Sequence, residues 1–316
     1  MQRSILLGAF LLNALLGFAC DQCGCSLLSG VQPYERTNNF GLLFRMRYLH
    51  GDLLNTAPPA FAKHGTVAAS TTKPSTPYSE LYYALEVRGQ FWLTDRVSAI
   101  ASIPLVNNYQ AVDHITRADV MAMGDPSAMV RYELLNNAGC TDSSAVRHRL
   151  TIGAGAKLPL GQHDVTQYGE EIDHDLQPGT GTWDGLVSLE YQMRGPRWGM
   201  AMGTMGRYNG TREGHRFGHS LSGTAEVFRV LHVGTLRWFP SAGGYLEYAG
   251  KDVLNGVADA GTGGSVLFSH LGTRLWWRSF GLSLVWQHAV LQDKGAIMVP
   301  DRERFLAGIT YNFNKA

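Results

Sequence analysis

The sequence predicts an all-β protein: a transmembrane antiparallel β-barrel of about twelve strands, preceded by a cleaved signal peptide. Three observations carry this expectation. Apolar and polar residues alternate with period 2 along much of the chain, the pattern of strands with two unlike faces. The alternating segments run to roughly 10–15 residues, whereas strands of soluble proteins centre on about 5–6. The connections between them alternate short and long, as in outer-membrane barrels. Composition agrees. Only 17% of the 316 residues are charged, with 45% apolar and 37 glycines. No internal apolar run reaches the length of a membrane-spanning helix, which excludes a multi-span helical protein. Lys+Arg number 27 against 26 Asp+Glu, for a net charge of +1. That balance argues against a nucleic-acid partner, which selects a strong basic excess.

Residues 1–19 read as a secretory signal peptide. Arg3 supplies a positive start, Ile5 to Leu16 an apolar stretch, and Gly17 and Ala19 the small residues before the cut. Residues 20–38 form a periplasmic amino-terminal segment, and 39–316 form the barrel.

The strands are expected at 39–51, 79–94, 96–108, 121–136, 146–160, 181–194, 197–210, 216–229, 232–249, 262–277, 279–290 and 303–314. Glu80 to Thr94 is the clearest: Leu81, Tyr83, Leu85, Val87, Phe91 and Leu93 oppose Glu80, Glu86, Arg88, Gln90 and Trp92. Phe40, Leu42 and Phe44 oppose Arg45 and Arg47, and Trp183, Val187 and Leu189 oppose Asp184, Ser188 and Glu190. Phe305, Ala307, Ile309, Tyr311 and Phe313 share the apolar face of the last strand. Tight turns follow strands 2, 6, 8 and 10, the third of them near Val230-Leu231. Longer loops include Asp52–Tyr78 and Gly161–Thr180. With both termini periplasmic, the tight turns fall on the periplasmic side and the long loops outside. The apolar face meets the outer-membrane bilayer. Tyr48, Trp92, Tyr109, Trp183, Trp198, Tyr208, Trp276, Trp286 and Tyr311 are expected in its interfacial girdles.

Three motifs carry a family resemblance: Met123-Gly124-Asp125-Pro126-Ser127, Lys157-Leu158-Pro159-Leu160-Gly161 and Gln177-Pro178-Gly179-Thr180-Gly181-Thr182-Trp183-Asp184. With them the chain resembles the outer-membrane barrels grouped as transporters of the phenol meta-degradation pathway. The run Cys20-Asp21-Gln22-Cys23-Gly24-Cys25 is similar to a Bacteroidota-type subgroup. The resemblance implies a channel taking up small hydrophobic or aromatic solutes.

The polar face of the strands places Arg45, Arg47, Glu80, Glu86, Arg88, Arg131, Glu133, Lys157, Asp184, Glu190, Arg207, Glu226, Arg237, Glu247 and Arg274 in the lumen. Both signs are interspersed, so no single-sign selectivity ring is expected. This is either a narrow polar conduit or a lumen filled by ion pairs. The first loop, with four prolines, is a surface loop or an inward constriction. His163, Asp164, Glu170, Glu171, Asp173, His174 and Asp175 crowd the third outer loop, which reads as solvated charge with cation binding as the alternative. Cys20, Cys23, Cys25 and Cys140 all fall in periplasmic segments. Three readings stay open: two disulfides, a thiolate site for Cu or Zn, or a lipid on Cys20 with one disulfide. An enzyme is not expected, because the adjacent His219 and Ser220 must point to opposite faces, and no Ser nucleophile stands beside His50 or His288.

Overall fold

The computed structural model describes residues 36–54, 75–137, 146–295 and 298–315. Its strands are β1 (Thr37–Leu54), β2 (Ser75–Trp92), β3 (Val97–Val112), β4 (Ile115–Met123), β5 (Ser127–Asn136), β6 (Arg147–Lys157), β7 (Thr166–Gln167), β8 (Glu170–Glu171), β9 (Asp184–Arg194), β10 (Trp198–Tyr208), β11 (His215–Arg216), β12 (Ser220–Arg229), β13 (Leu231–Val233), β14 (Leu236–Ala249), β15 (Val253–Leu254), β16 (Val257–Ala258), β17 (Gly264–Trp277), β18 (Phe280–Lys294) and β19 (Asp301–Lys315). A 3-10 turn, His174–Leu176, lies between β8 and β9.

Twelve of these strands close into one antiparallel ring, in the order β1, β2, β3, β5, β6, β9, β10, β12, β14, β17, β18, β19 and back to β1. The register of closure is regular over most of its length, with Phe40 opposite Tyr311 and Phe44 opposite Ala307. Closure leaves the wall without an edge, so its backbone groups are paired within the protein and need no partner from lipid.

The alternation read from the sequence becomes an outward apolar face and an inward polar one. Val87, Val130 and Ile309 are 49%, 54% and 57% exposed on the outside, while their strand neighbours Glu86 and Arg131 are buried. In a soluble protein this arrangement would be inside out; a bilayer makes it the favourable one. Trp183, Trp198, Tyr208, Trp286 and Tyr311 face outward as expected.

Four expectations are corrected. Trp92 and Trp276 belong inside: Trp92 lies under Arg36, and Trp276 packs on the buried Phe228, Val230 and Phe239 cluster. The fourth strand is longer and interrupted, because β3 pairs first with β5 and then with β4. The break falls at Gly124-Asp125-Pro126, opposite Pro104. Proline has no N–H to give the ladder, so Pro104 accepts from the Gly124 N–H but returns nothing to it, and regular pairing ends there. The turn expected near Val230-Leu231 lies instead at Gly234, whose positive φ of 59° closes the β13–β14 hairpin.

An outward arginine in mid-strand tests the lipid face. Leu284→Arg should lower folding stability in lipid vesicles by about 2–4 kcal/mol, read from the urea midpoint.

Candidate functional site: the lumen and its latched loop

Inside the ring, Arg47, Glu80, Glu86, Arg131, Glu133, Lys157, Asp184, Glu226, Glu247 and Arg274 are buried, and Arg45, Arg88, Glu190, Arg207 and Arg237 are half-buried. They meet across the lumen in groups. Arg47 donates from Nε to Asp301 Oδ1 at 2.6 Å and lies 3.2 Å from Glu247 Oε2 through Nη2. Arg304 donates to Glu247 and stacks over the Tyr245 ring at 4.7 Å. Lys294 Nζ is 2.9 Å from Asp301 Oδ2. A second group joins Arg45 to Glu86 at 2.5 Å, with Arg88 at 3.6 Å from the same carboxylate. Arg131 meets Glu190 at 2.5 Å. Glu226 faces both Arg274, at 3.2 Å, and His270, at 3.3 Å.

Such groups neutralise charge where water is scarce. Removing one partner strands the other, at a cost of about 3–5 kcal/mol for a buried pair. Asp301, His270 and Arg304 are absent from the lumen residues that the sequence pattern singles out, and Asp125 enters there only within a motif. Arg304 was findable, since it sits on the face opposite Phe305, Ala307 and Ile309.

The connection formed by residues 158–183 turns into the lumen and is held there. Leu176 and Ile172 pack on Ala118 and Val120, and Asn108 Nδ2 donates to the Leu176 carbonyl at 2.9 Å. The three motifs singled out in the sequence converge on one carboxylate in this seat. Asp125, in the break of the wall, accepts from Lys157 Nζ at 2.7 Å, from the Gly161 N–H at 3.0 Å, and from the Thr180 N–H and Oγ1 at 2.8 and 3.1 Å. Lys157 also lies 2.9 Å from Asp184 Oδ2. The glycines are required by this approach. A Cβ on Gly161 or Gly179 would come within 2.8 Å of Asp125 Oδ1.

The acidic run of the same segment is divided. Glu170 and Glu171 are exposed. His174 stacks on His215 with ring centroids 4.3 Å apart. Asp164 accepts from Arg212 at 2.5 Å, and this hydrogen bond holds the Asp164 carboxyl below its ordinary range. Among the described residues, no group of three His, Cys, Asp or Glu is arranged to hold a metal. Cys20, Cys23, Cys25 and Cys140, the signal peptide and most of the first loop lie outside the described residues.

Two cavities follow one another along the barrel. The larger, about 160 Å³, is lined by Arg45, Arg47, Tyr82, Glu86, Lys157, Gln177 and Leu306, among others. The smaller, about 100 Å³, is lined by Arg88, Gln90, Ile100, Arg274, Trp276 and Leu306, among others. Leu306 is common to both linings, and it packs against Leu43 and Val285.

Three solved structures match much of this chain, the first of them at a TM-score that shows a shared fold. An outer membrane channel from Pseudomonas putida F1 matches 90% of this chain and all of its own, at 12% identity and a TM-score of 0.65. The beta domain of the Bordetella autotransporter BrkA matches 88% of this chain and all of its own, at 12% identity and a TM-score of 0.48. The CymD monoaromatic hydrocarbon channel matches 89% of each chain, at 10% identity and a TM-score of 0.34. No family model and no curated relative matches the chain. The chain therefore has the fold of an outer-membrane β-barrel.

Glu247→Gln leaves Arg47 and Arg304 short of a counter-charge. It should lower stability by about 3–5 kcal/mol, seen as an earlier urea midpoint of the vesicle-inserted protein.

Proposed function

We propose that this chain is an outer-membrane channel for small solutes, apolar and aromatic ones included, with residues 158–183 as its constriction. The observation that carries this reading is the pair of cavities meeting at Leu306 inside a closed wall. Successive stretches of single strands line them: residues 82–86 of β2 and 304–306 of β19 border the larger cavity, residues 88–90 and 306–310 the smaller. The lumen charges are of both signs and mutually paired, which supports passage of neutral solutes over strong ion selectivity. At the junction, Leu306, Leu43 and Val285 give water little to bond to. A solute that sheds its water cheaply crosses such a junction more readily than an ion. The lumen-facing charges listed above then act as the polar lining of the path. We also infer that the end bearing the chain termini faces the periplasm, since the described connections there are all short and the long ones lie at the opposite end.

Liposome swelling tests the proposal. The native protein should pass a small aromatic alcohol faster than a pentose of similar mass. Leu306→Ala should raise both fluxes several-fold and narrow the difference between them. Asp125→Ala, which removes the acceptor shared by Lys157, Gly161 and Thr180, should raise both fluxes by freeing the constriction. Absence of flux in the native protein and in both variants would mean a filled barrel and not a channel.

A further inference from the structure

We infer that the barrel end bearing the chain termini binds the phosphate headgroups of anionic phospholipids. The net charge of +1 conceals a steep division between the two ends. Among the described residues, the connections at the terminal end carry Arg96, Arg197 and Arg278 against one carboxylate, Asp95, with Arg194 and Arg229 ending the strands beside them. The connections at the opposite end carry nine carboxylates against three Arg or Lys.

Placement selects the partner. Arg229 lies over the Trp198 ring at 5.5 Å, and Arg278 over the Trp277 ring at 5.2 Å. Trp198 and Trp277 are 57% and 50% exposed on the outer wall. Tryptophans in such positions sit at the level of lipid headgroups. The stacked guanidiniums are therefore held where phosphates lie, with their donors available to oxygen. Arg96, Arg197, Arg229 and Arg278 have no ion-pair partner among the described residues. A guanidinium meets a phosphate through two parallel N–H donors, which suits it to this ligand better than to a point anion. A soluble acidic partner would have to approach Arg229 and Arg278 through the bilayer surface, so the lipid itself is the occupant that fits.

This inference rests on the membrane barrel and not on the channel reading, and its test leaves that reading untouched. The full-length protein is inserted in nanodiscs of equal phosphatidylglycerol and phosphatidylcholine, released, and examined by native mass spectrometry. The native protein should retain phosphatidylglycerol in preference, by about fivefold for each arginine engaged. The preference should shrink as salt rises from roughly 50 mM to about 500 mM. The double variant R229Q/R278Q should approach parity between the two lipids, while its gel mobility before and after heating reports whether the barrel is folded. R212Q, at the opposite end, should keep the native preference. No preference in the native protein, or an unchanged one in the folded double variant, would overturn the inference. Should the double variant fail to fold, R229Q and R278Q are read singly by the same criterion.

Discussion

Everything in this structure depends on one constraint. In the bilayer no water reaches the backbone, so each N–H and C=O of a spanning sheet must find its partner in the protein. A flat sheet leaves two edges unsatisfied; a ring leaves none. Closure then creates an inside and an outside, and each strand must serve both. The outside takes side chains that lipid solvates, such as Val87 and Ile309. The inside takes the rest of every strand, whatever the function requires of it.

That interior is crowded with charge, and its arrangement reflects the low dielectric around it. Arg47, Arg304 and Lys294 share Glu247 and Asp301 on one side of the lumen. Glu226 is shared by Arg274 and His270 on another. Sharing gives each of these carboxylates more than one basic neighbour in a space too small for much water. The same logic operates at Asp125, but there a carboxylate in the wall gathers donors from a loop. Loop position and wall irregularity are thus one feature. The break in the ladder beside Pro104 opens the place where Asp125 can turn inward and receive the loop.

The barrel was legible in the sequence because its physics is local. Strand and face follow from neighbours two residues apart, and each of the twelve expected segments overlaps one ring strand. The exceptions are local too, but finer: aromatic type points Trp92 and Trp276 to the girdles, whereas their parity along the strand places them inside. The site was harder. Thr180 and Asp125 are 55 positions apart, and Arg47 and Asp301 are 254 apart. No period links such residues. The motifs around Asp125, Lys157 and Thr180 were visible as three separate strings, and only folding shows that they meet. The cysteine readings, disulfide, metal or lipid, concern residues beyond those described.

The pairing of β1 with β19 has a kinetic meaning. Met46 lies opposite Phe305, and Phe40 opposite Tyr311, so the ring joins residues from the two extremes of the chain. Contacts of such long sequence separation form slowly, because the entropy of closing the loop is lost before the contact returns anything. Until the last strand arrives, the growing sheet carries two open edges able to recruit foreign strands. A chain of this design is therefore most vulnerable just before completion. The fifteen residues of β19 act as the seam on which the whole enclosure waits.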